Sequence, residues 1–345
     1  MRNTFQRAAL LLIFLLNACG GNEPSVTATP LPSETPVIPP TLTATPTIPL
    51  AVLILPANLD PETSNLYQTT VYDLTQSSGY RFQTRDSITE ADLTEPGLKI
   101  VIALPPDPGI AALAAAAPQV QFLSINIPGI LPGGNVSALG GEGQTGIAAF
   151  LAGYTAALLT EDYRIGMIIP KGNSDAQQAE AAFRNGIAFH CGLCRPIFFP
   201  SFCLVENLQS CYPQFVEIPT DEDPARYGPY ADYLILQREV DTLFVYPDVA
   251  DPDLLTYIGT TGALLIGTAT PEERPGGWVM TIQPDVIKAI QNAWPQLVAG
   301  QGGVTVQSPL GLGDVDPSLL SPGKQRDVQE MLDKLQQGLI NINNP

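Results

Sequence analysis

Cys191, Cys194, Cys203 and Cys211 crowd one segment, and the chain's single histidine, His190, stands beside them. Such a set could hold zinc, supply a thiol nucleophile or close disulfides. Structural zinc sites pair two tight knuckles; Cys191 and Cys194 make one, but the Cys203 to Cys211 spacing is too wide for a second. An exported chain sits where disulfides persist, which favours two bridges stapling an irregular loop, with the connectivity left open. Oxidised cysteines also disarm a Cys–His nucleophile, which needs a thiolate. No Gly-x-Ser-x-Gly elbow or phosphate-binding Walker loop is present. The pair Glu272 and Glu273 lies in a proline-rich turn. Catalysis is therefore not expected, nor a metal or cofactor. The residue types that remain for chemistry are isolated polar side chains suited to hydrogen-bonding a small molecule.

Those side chains must be positioned by the elements around them. Ile147, Phe150, Leu151, Tyr154 and Leu158 recur at helical spacing, and small residues fill the other faces. The β-branched run from Arg164 to Pro170 then reads as a buried strand. Ala51 to Leu55, Phe82 to Arg85, Lys99 to Leu104 and Val120 to Asn126 read as earlier strands, with helices at Leu66 to Ser78 and Gly109 to Ala117. After Pro170 the alternation restarts. Helices are expected at Ala176 to Phe189, Ala225 to Arg238, Asp253 to Gly259, Val286 to Ala299 and Lys324 to Gln337. Strands are expected at Asp241 to Tyr246, Ala263 to Gly267 and Trp278 to Ile282. Strands alternating with helices at this spacing predict doubly wound parallel sheets, an α/β fold in two lobes. Trp294, in register with Ile290 and Leu297, reads as core. Gly140 to Gly146 reads as a turn and helix start, with no clear strand directly before it.

Ligands of such sheets bind beyond the carboxyl ends of the strands. That rule nominates Asn58, Asp60, Pro105 and Asn126 in the first lobe, and Lys171, Asn173, Tyr246, Asp248 and Thr268 in the second. Capping or turn formation is the competing role for each.

The amino terminus carries a different message. Arg2 and Arg7 precede an apolar segment, Ala8 to Leu16, too short to span a bilayer. Leu16-Asn-Ala-Cys19 follows and resembles the lipobox of bacterial lipoproteins, in which the cysteine becomes the lipidated end of the mature chain. Residues 1–19 are thus expected to be a signal peptide and Cys19 the link to a lipid bilayer, placing the folded part outside the cytoplasm. Residues 20–50, rich in Thr and Pro, read as an unfolded spacer. The formal charge of −18 and the lack of a Lys/Arg stripe exclude nucleic acid as a partner. Asn135-Val-Ser137 matches a glycosylation sequon, a chance match behind a bacterial-type lipobox.

In order, Phe150-Leu-Ala-Gly-Tyr154 with Arg164-Ile-Gly166, Phe183-Arg-Asn-Gly186, Asp223-Pro-Ala-Arg226, Val240-Asp-Thr-Leu-Phe244, Leu265-Ile-Gly267 and Trp278-Val-Met-Thr281 resemble the motifs of the basic membrane protein family. These are lipoproteins akin to purine nucleoside receptors of ABC importers. The resemblance spans the folded part. It implies a type I periplasmic-binding-protein fold, a cleft between lobes, a small polar ligand of nucleoside kind and an ABC permease as partner. The lobes would comprise 51–160 with about 270–300, and about 161–269 with 301–345. The segment 191–223 would be a cysteine-rich insertion. A surface lipoprotein that kept the fold for sensing or structure is the alternative.

The family's first loop reads DDRSFN. Here Asp60 and Asn65 match it, which adds Asn65 to the candidate contacts. Ser64 stands where the family stacks an aromatic residue on the base. Thr268-Ala-Thr270 replaces the aspartate that holds ribose, and Tyr246-Pro-Asp-Val249 replaces a glycine-rich turn. The scaffold is matched better than the ligand-reading positions.

Overall fold

The computed structural model describes residues 47–140, 144–192, 196–206 and 211–343, with side chains not described for residues 204–206. The expected signal peptide, Cys19 and nearly all of the expected spacer lie outside the described residues, as does Cys194. The folded unit runs from Thr47 onward.

Buried β-branched runs make two six-stranded sheets. The first contains β1 (Leu50–Ile54), β2 (Arg81–Arg85), β3 (Leu98–Ala103), β4 (Gln121–Ile125), β5 (Val136–Gly140) and β11 (Thr305–Gln307), in the order β11-β5-β4-β3-β1-β2 and parallel throughout. The second contains β6 (Ile165–Pro170), β7 (Gln214–Ile218), β8 (Thr242–Val245), β9 (Leu264–Gly267), β10 (Trp278–Pro284) and β12 (Leu310–Gly313), in the order β12-β10-β9-β8-β6-β7. Only β12 there is antiparallel. Each sheet is flanked by helices, as parallel sheets require. The first lobe carries α1 (Pro61–Ser78), α2 (Ile110–Ala116) and α8 (Val286–Val298). The second carries α3 (Thr145–Leu159), α4 (Ser174–Cys191), α5 (Ser201–Glu206), α6 (Gly228–Asp232), α7 (Pro252–Thr260) and α9 (Pro322–Gln336).

The chain passes between lobes three times: from β5 to α3, from β10 to α8, and from β11 to β12. Each passage leaves the carboxyl edge of one sheet and enters the other lobe within a few residues, so the two carboxyl edges face each other. Backbone and side chain tie the passages together. Asp285 N–H donates to the Pro309 carbonyl at 2.7 Å, and Gln144 Nε2 donates to the Ser308 carbonyl at 2.9 Å. Two doubly wound lobes hinged by three strands of chain are the type I periplasmic-binding-protein arrangement.

The expected lobe boundaries need three corrections. Residues 145–159 belong to the second lobe, because α3 packs its small-residue faces against α4 and α9. Residues 278–284 also belong there, since β10 pairs with β9. Residues 305–307 return to the first lobe, where β11 extends the sheet beside β5. Strand β5, with its buried Val136-Ser-Ala-Leu139, ends at Gly140, so the glycine-rich segment does follow a strand, contrary to the sequence expectation. The expected helix at Ala225 to Arg238 is broken: a 3-10 turn (Pro224–Arg226), α6 and a π-helical turn (Tyr233–Gln237) follow one another. Pro229 just inside α6 accounts for the restart after that turn.

The segment 191–223 is not all irregular, because β7 within it is the edge strand beside β6. Cys203 and Cys211, both buried, form a disulfide with Cα atoms 5.2 Å apart. Cys191 is also disulfide-bonded. The Cys203–Cys211 bridge closes a short loop, so chain entropy assigns it about 2.5 kcal/mol. A Cys203→Ala/Cys211→Ala protein is expected to lose about that much in urea unfolding. An unchanged midpoint would show the bridge to be dispensable.

Asp241, at the start of β8, sits largely buried between Thr160 and Thr242, whose hydroxyls donate to it at 3.1 and 2.8 Å. Burial raises its pKa, and those hydrogen bonds only partly offset the rise. The folded pKa lies above the unfolded one. Its contribution is therefore fully present below the unfolded value, near 4, and is lost as pH climbs through the folded value. Asp241→Asn is expected to flatten the melting-temperature profile just above pH 4; an unaltered profile would remove Asp241 from the cause. Asp60, Asp92 and Asp316, held low mainly by side-chain hydrogen bonds, act with the opposite sign at lower pH.

Candidate functional site

In both sheets the strand order reverses direction once, between β1 and β3 in the first and between β6 and β8 in the second. Loops leaving the strands at such a point splay apart and leave a crevice. In the second lobe the crevice is bridged. Asn173 follows β6 and Asp248 follows β8, and Asn173 Nδ2 donates to Asp248 Oδ2 at 3.1 Å. Asn173 also caps α4, accepting from the Asp175 and Ala176 N–H groups at 2.9 and 3.1 Å. The Asn173 side chain thus makes three hydrogen bonds, one donated by Nδ2 and two accepted by Oδ1.

Tyr246 completes this cluster at the end of β8. It is buried, and its phenol pKa is raised first by that burial and then by the nearby carboxylates of Asp248 and Asp175. A hydrogen bond to Thr145 opposes the shift, which places the hydroxyl against the first residue of α3. Lys171 is exposed next to the cluster and donates its backbone N–H to Ile218. Asn173, Tyr246 and Asp248 are thus brought together, whereas the Lys171 side chain makes no hydrogen bond or ion pair with them.

In the first lobe the nominated residues are more scattered. Asp60 is the N-cap of α1, accepting from the Glu62 and Thr63 N–H groups at 3.0 Å each, and those bonds hold its pKa down. Asn65 lies one turn further along α1, exposed. Asn126 ends β4 with φ at +50°, a left-handed conformation that asparagine tolerates, and its side chain is exposed. Pro105 follows β3, and its peptide bond to Pro106 is cis. These groups follow strands of the first lobe or lie in α1, and no hydrogen bond or ion pair joins them to one another.

Two cavities lie at the hinge. One of about 520 Å³ is lined from the first lobe by Leu66 and Tyr67, from the second passage by Asp285, and from the second lobe by Gln283, Leu312 and Gln329. The other, about 120 Å³, lies over the carboxyl ends of β8, β9 and β10 and is lined by Gln144, Thr145, Pro247, Thr268, Pro284 and Leu310. Thr268 was nominated from sequence. Gln144 and Thr145 were not, because the preceding strand β5 had gone unread and their place at a passage between lobes depends on it. Trp294 is buried, donates to Ser78 Oγ at 2.8 Å and meets Tyr80 edge-on, as a core residue would. Among the described residues no group of His, Cys, Asp and Glu could hold a metal ion, and no helix is long and apolar enough to cross a membrane.

No protein-family profile matches the chain, and no curated protein matches its sequence. Solved structures do resemble it. A transcriptional activator of the comK gene from Bacillus halodurans aligns at 13% identity over 85% of this chain and 99% of its own, with a TM-score of 0.48. An ABC-transporter solute-binding protein from Conexibacter woesei aligns at 15% identity over 86% and 98%, with a TM-score of 0.46. A LacI transcriptional regulator from a Rhodococcus species aligns at 17% identity over 76% and 96%, with a TM-score of 0.35.

Proposed function

We propose that the chain is a lipid-anchored, extracytoplasmic solute-binding protein that closes two lobes over a small polar ligand and presents it to an ABC permease. The observation that carries this reading is the pairing of Asn173 with Asp248 across the β6/β8 crevice, beside the buried Tyr246 and facing the other lobe's carboxyl edge. A cleft between hinged lobes excludes water on closure and turns ligand capture into a change of surface shape. Cys19 would hold the protein at the bilayer, and the Thr/Pro-rich spacer would set its distance. A nucleoside is the family-level expectation for the ligand, and Ser64 in place of a stacking aromatic weighs against a tightly held base.

Thermal-shift measurements on the full chain against nucleosides, sugars and amino acids test the reading. A ligand bound by the native state alone raises the melting temperature, by an amount set by its concentration over its Kd. A saturable shift with one class, abolished in Asp248→Ala, is the expected result. Turnover of any probe in place of capture would overturn it.

A further inference from the structure

We propose that the second lobe takes an uncharged apolar group of the captured solute, a branched alkyl chain or a single aromatic ring, beyond the carboxyl ends of β8 and β9. This rests on the solute-binding reading above and departs from the nucleoside expectation. Two cavities flank Pro247 and Thr268, which line both. One is the 120 Å³ cavity already described; the other, of about 230 Å³, is lined also by Ala250, Leu255, Ala269 and Pro271. A ligand lying across both would occupy a space near the lower end of small-molecule sites, about 300 Å³.

The polar groups of this wall are mostly engaged within the protein. Gln144 donates to Ser308, Thr145 meets the Tyr246 hydroxyl, and Thr270 bonds to Thr281 and Asp314. The carboxylates closest in the chain are engaged as well: Asp248 accepts from Asn173, and Asp251 accepts from the Asp253 and Leu254 N–H groups that begin α7. Among the described residues no charged side chain lines either cavity. What a ligand meets is chiefly proline, alanine and leucine surface, to which Thr268 adds one hydroxyl. A sugar ring or an anion seated here would give up several hydrogen bonds to water and regain few of them. An alkyl or aromatic group gives up none, and removes apolar surface from water. The sequence departs in the same direction, since Thr268-Ala-Thr270 stands where an aspartate would hold ribose.

The test is calorimetric titration of the full chain with probes that share a polar part and differ in an apolar one. Leucine is paired with glycine, phenylalanine with alanine, and phenyl glucoside with glucose; glutamate serves as the charged counterpart of leucine. In at least one pair the apolar member is expected to bind about 10-fold or more tightly than its partner. Ala269→Asp sets a carboxylate at an exposed position of the wall, where the ligand-free melting temperature is expected to hold. In that variant the apolar member is expected to lose about 10-fold in affinity, because its desolvated group now faces a charge. Ala269→Asn, which adds a neutral amide of the same shape, is expected to lose less. Undiminished affinity of the apolar member in Ala269→Asp, or binding of glucose or glutamate as tight as that of phenyl glucoside or leucine, overturns the apolar assignment and leaves solute capture standing. No binding of any probe to the unsubstituted protein overturns both.

Discussion

Placing a single methyl group at Gly186 is expected to destabilise the second lobe by about 3 kcal/mol. The reason lies in how closely α3 and α4 approach. A Cβ at Gly186 would overlap the carbonyl oxygen of Phe150, and one at Gly153 would overlap that of Phe183. The two glycines thus sit reciprocally, each opposite a backbone carbonyl of the other helix, and neither backbone can yield as a side chain would. Ordinary overpacking costs about 1–3 kcal/mol, and the upper end applies where backbone must move. Separating the helices would also draw Phe183 from its stack on Phe244, whose centroid is 5.9 Å away in β8, and from its edge contact with Phe215 in β7. Gly186→Ala and Gly153→Ala should each show the loss in urea unfolding. Combined, they should cost less than their sum, since one separation of the helices relieves both clashes. Gly133→Ala, where nothing lies within 4 Å of the new atom, serves as control and is expected within about 0.5 kcal/mol of the parent. Full additivity, or a neutral Gly186→Ala, would mean that the helices are not held at this distance.

The same two helices mark how far the sequence could be read. Their small residues at helical spacing and the β-branched run after Arg164 state a helix packed tightly near a buried strand, and that part of the fold was legible from local pattern alone. Lobe membership was not. Whether α3 folds back on the sheet before it or forward on the one after it depends on contacts with α4 and α9, far along the chain, which periodicity does not encode. Strands β5, β7, β11 and β12 were missed for a related reason: all four stand at or next to a sheet edge, where short runs and mixed burial weaken the alternation signal. At the site, the carboxyl-end rule found Asn173, Tyr246 and Asp248 because each directly follows a strand that was readable. It passed over Gln144, whose significance arises only when a carbonyl from residue 308 meets it. Asp60 and Asn173 were legible as polar positions with capping as one of two roles, and the structure shows helix capping engaging both.

Trp278→Ala is expected to cost about 3–5 kcal/mol, the range for truncating a large buried aromatic side chain, and to loosen the cleft's second-lobe wall. Trp278 is buried at the start of β10, its ring lying against Gly267 so closely that a Cβ there would overlap it. Its indole N–H donates to Thr281 Oγ1 at 3.1 Å. Thr281 and Thr270 share a hydrogen bond, and Thr270 donates to Asp314. A hydroxyl has one proton, and that of Thr270 goes to Asp314, so Thr281 must be the donor to Thr270. The proton order therefore runs from Trp278 through Thr281 and Thr270 to Asp314, fastening the loop after β9 to the end of β12. That loop carries Thr268, which lines the hinge cavity. Trp278→Phe separates volume from hydrogen bonding: it keeps most of the packing, leaves Thr281 without its indole donor, and is expected to cost about 1–2 kcal/mol. Both variants leave Trp294 as the sole tryptophan, so the unfolding signal is carried by a residue in the other lobe. If the lobes unfold as one unit, that signal shifts with the second lobe's loss of stability. A far-ultraviolet transition that moves while Trp294 fluorescence does not would show the lobes melting separately and confine the damage to the wall that Trp278 supports.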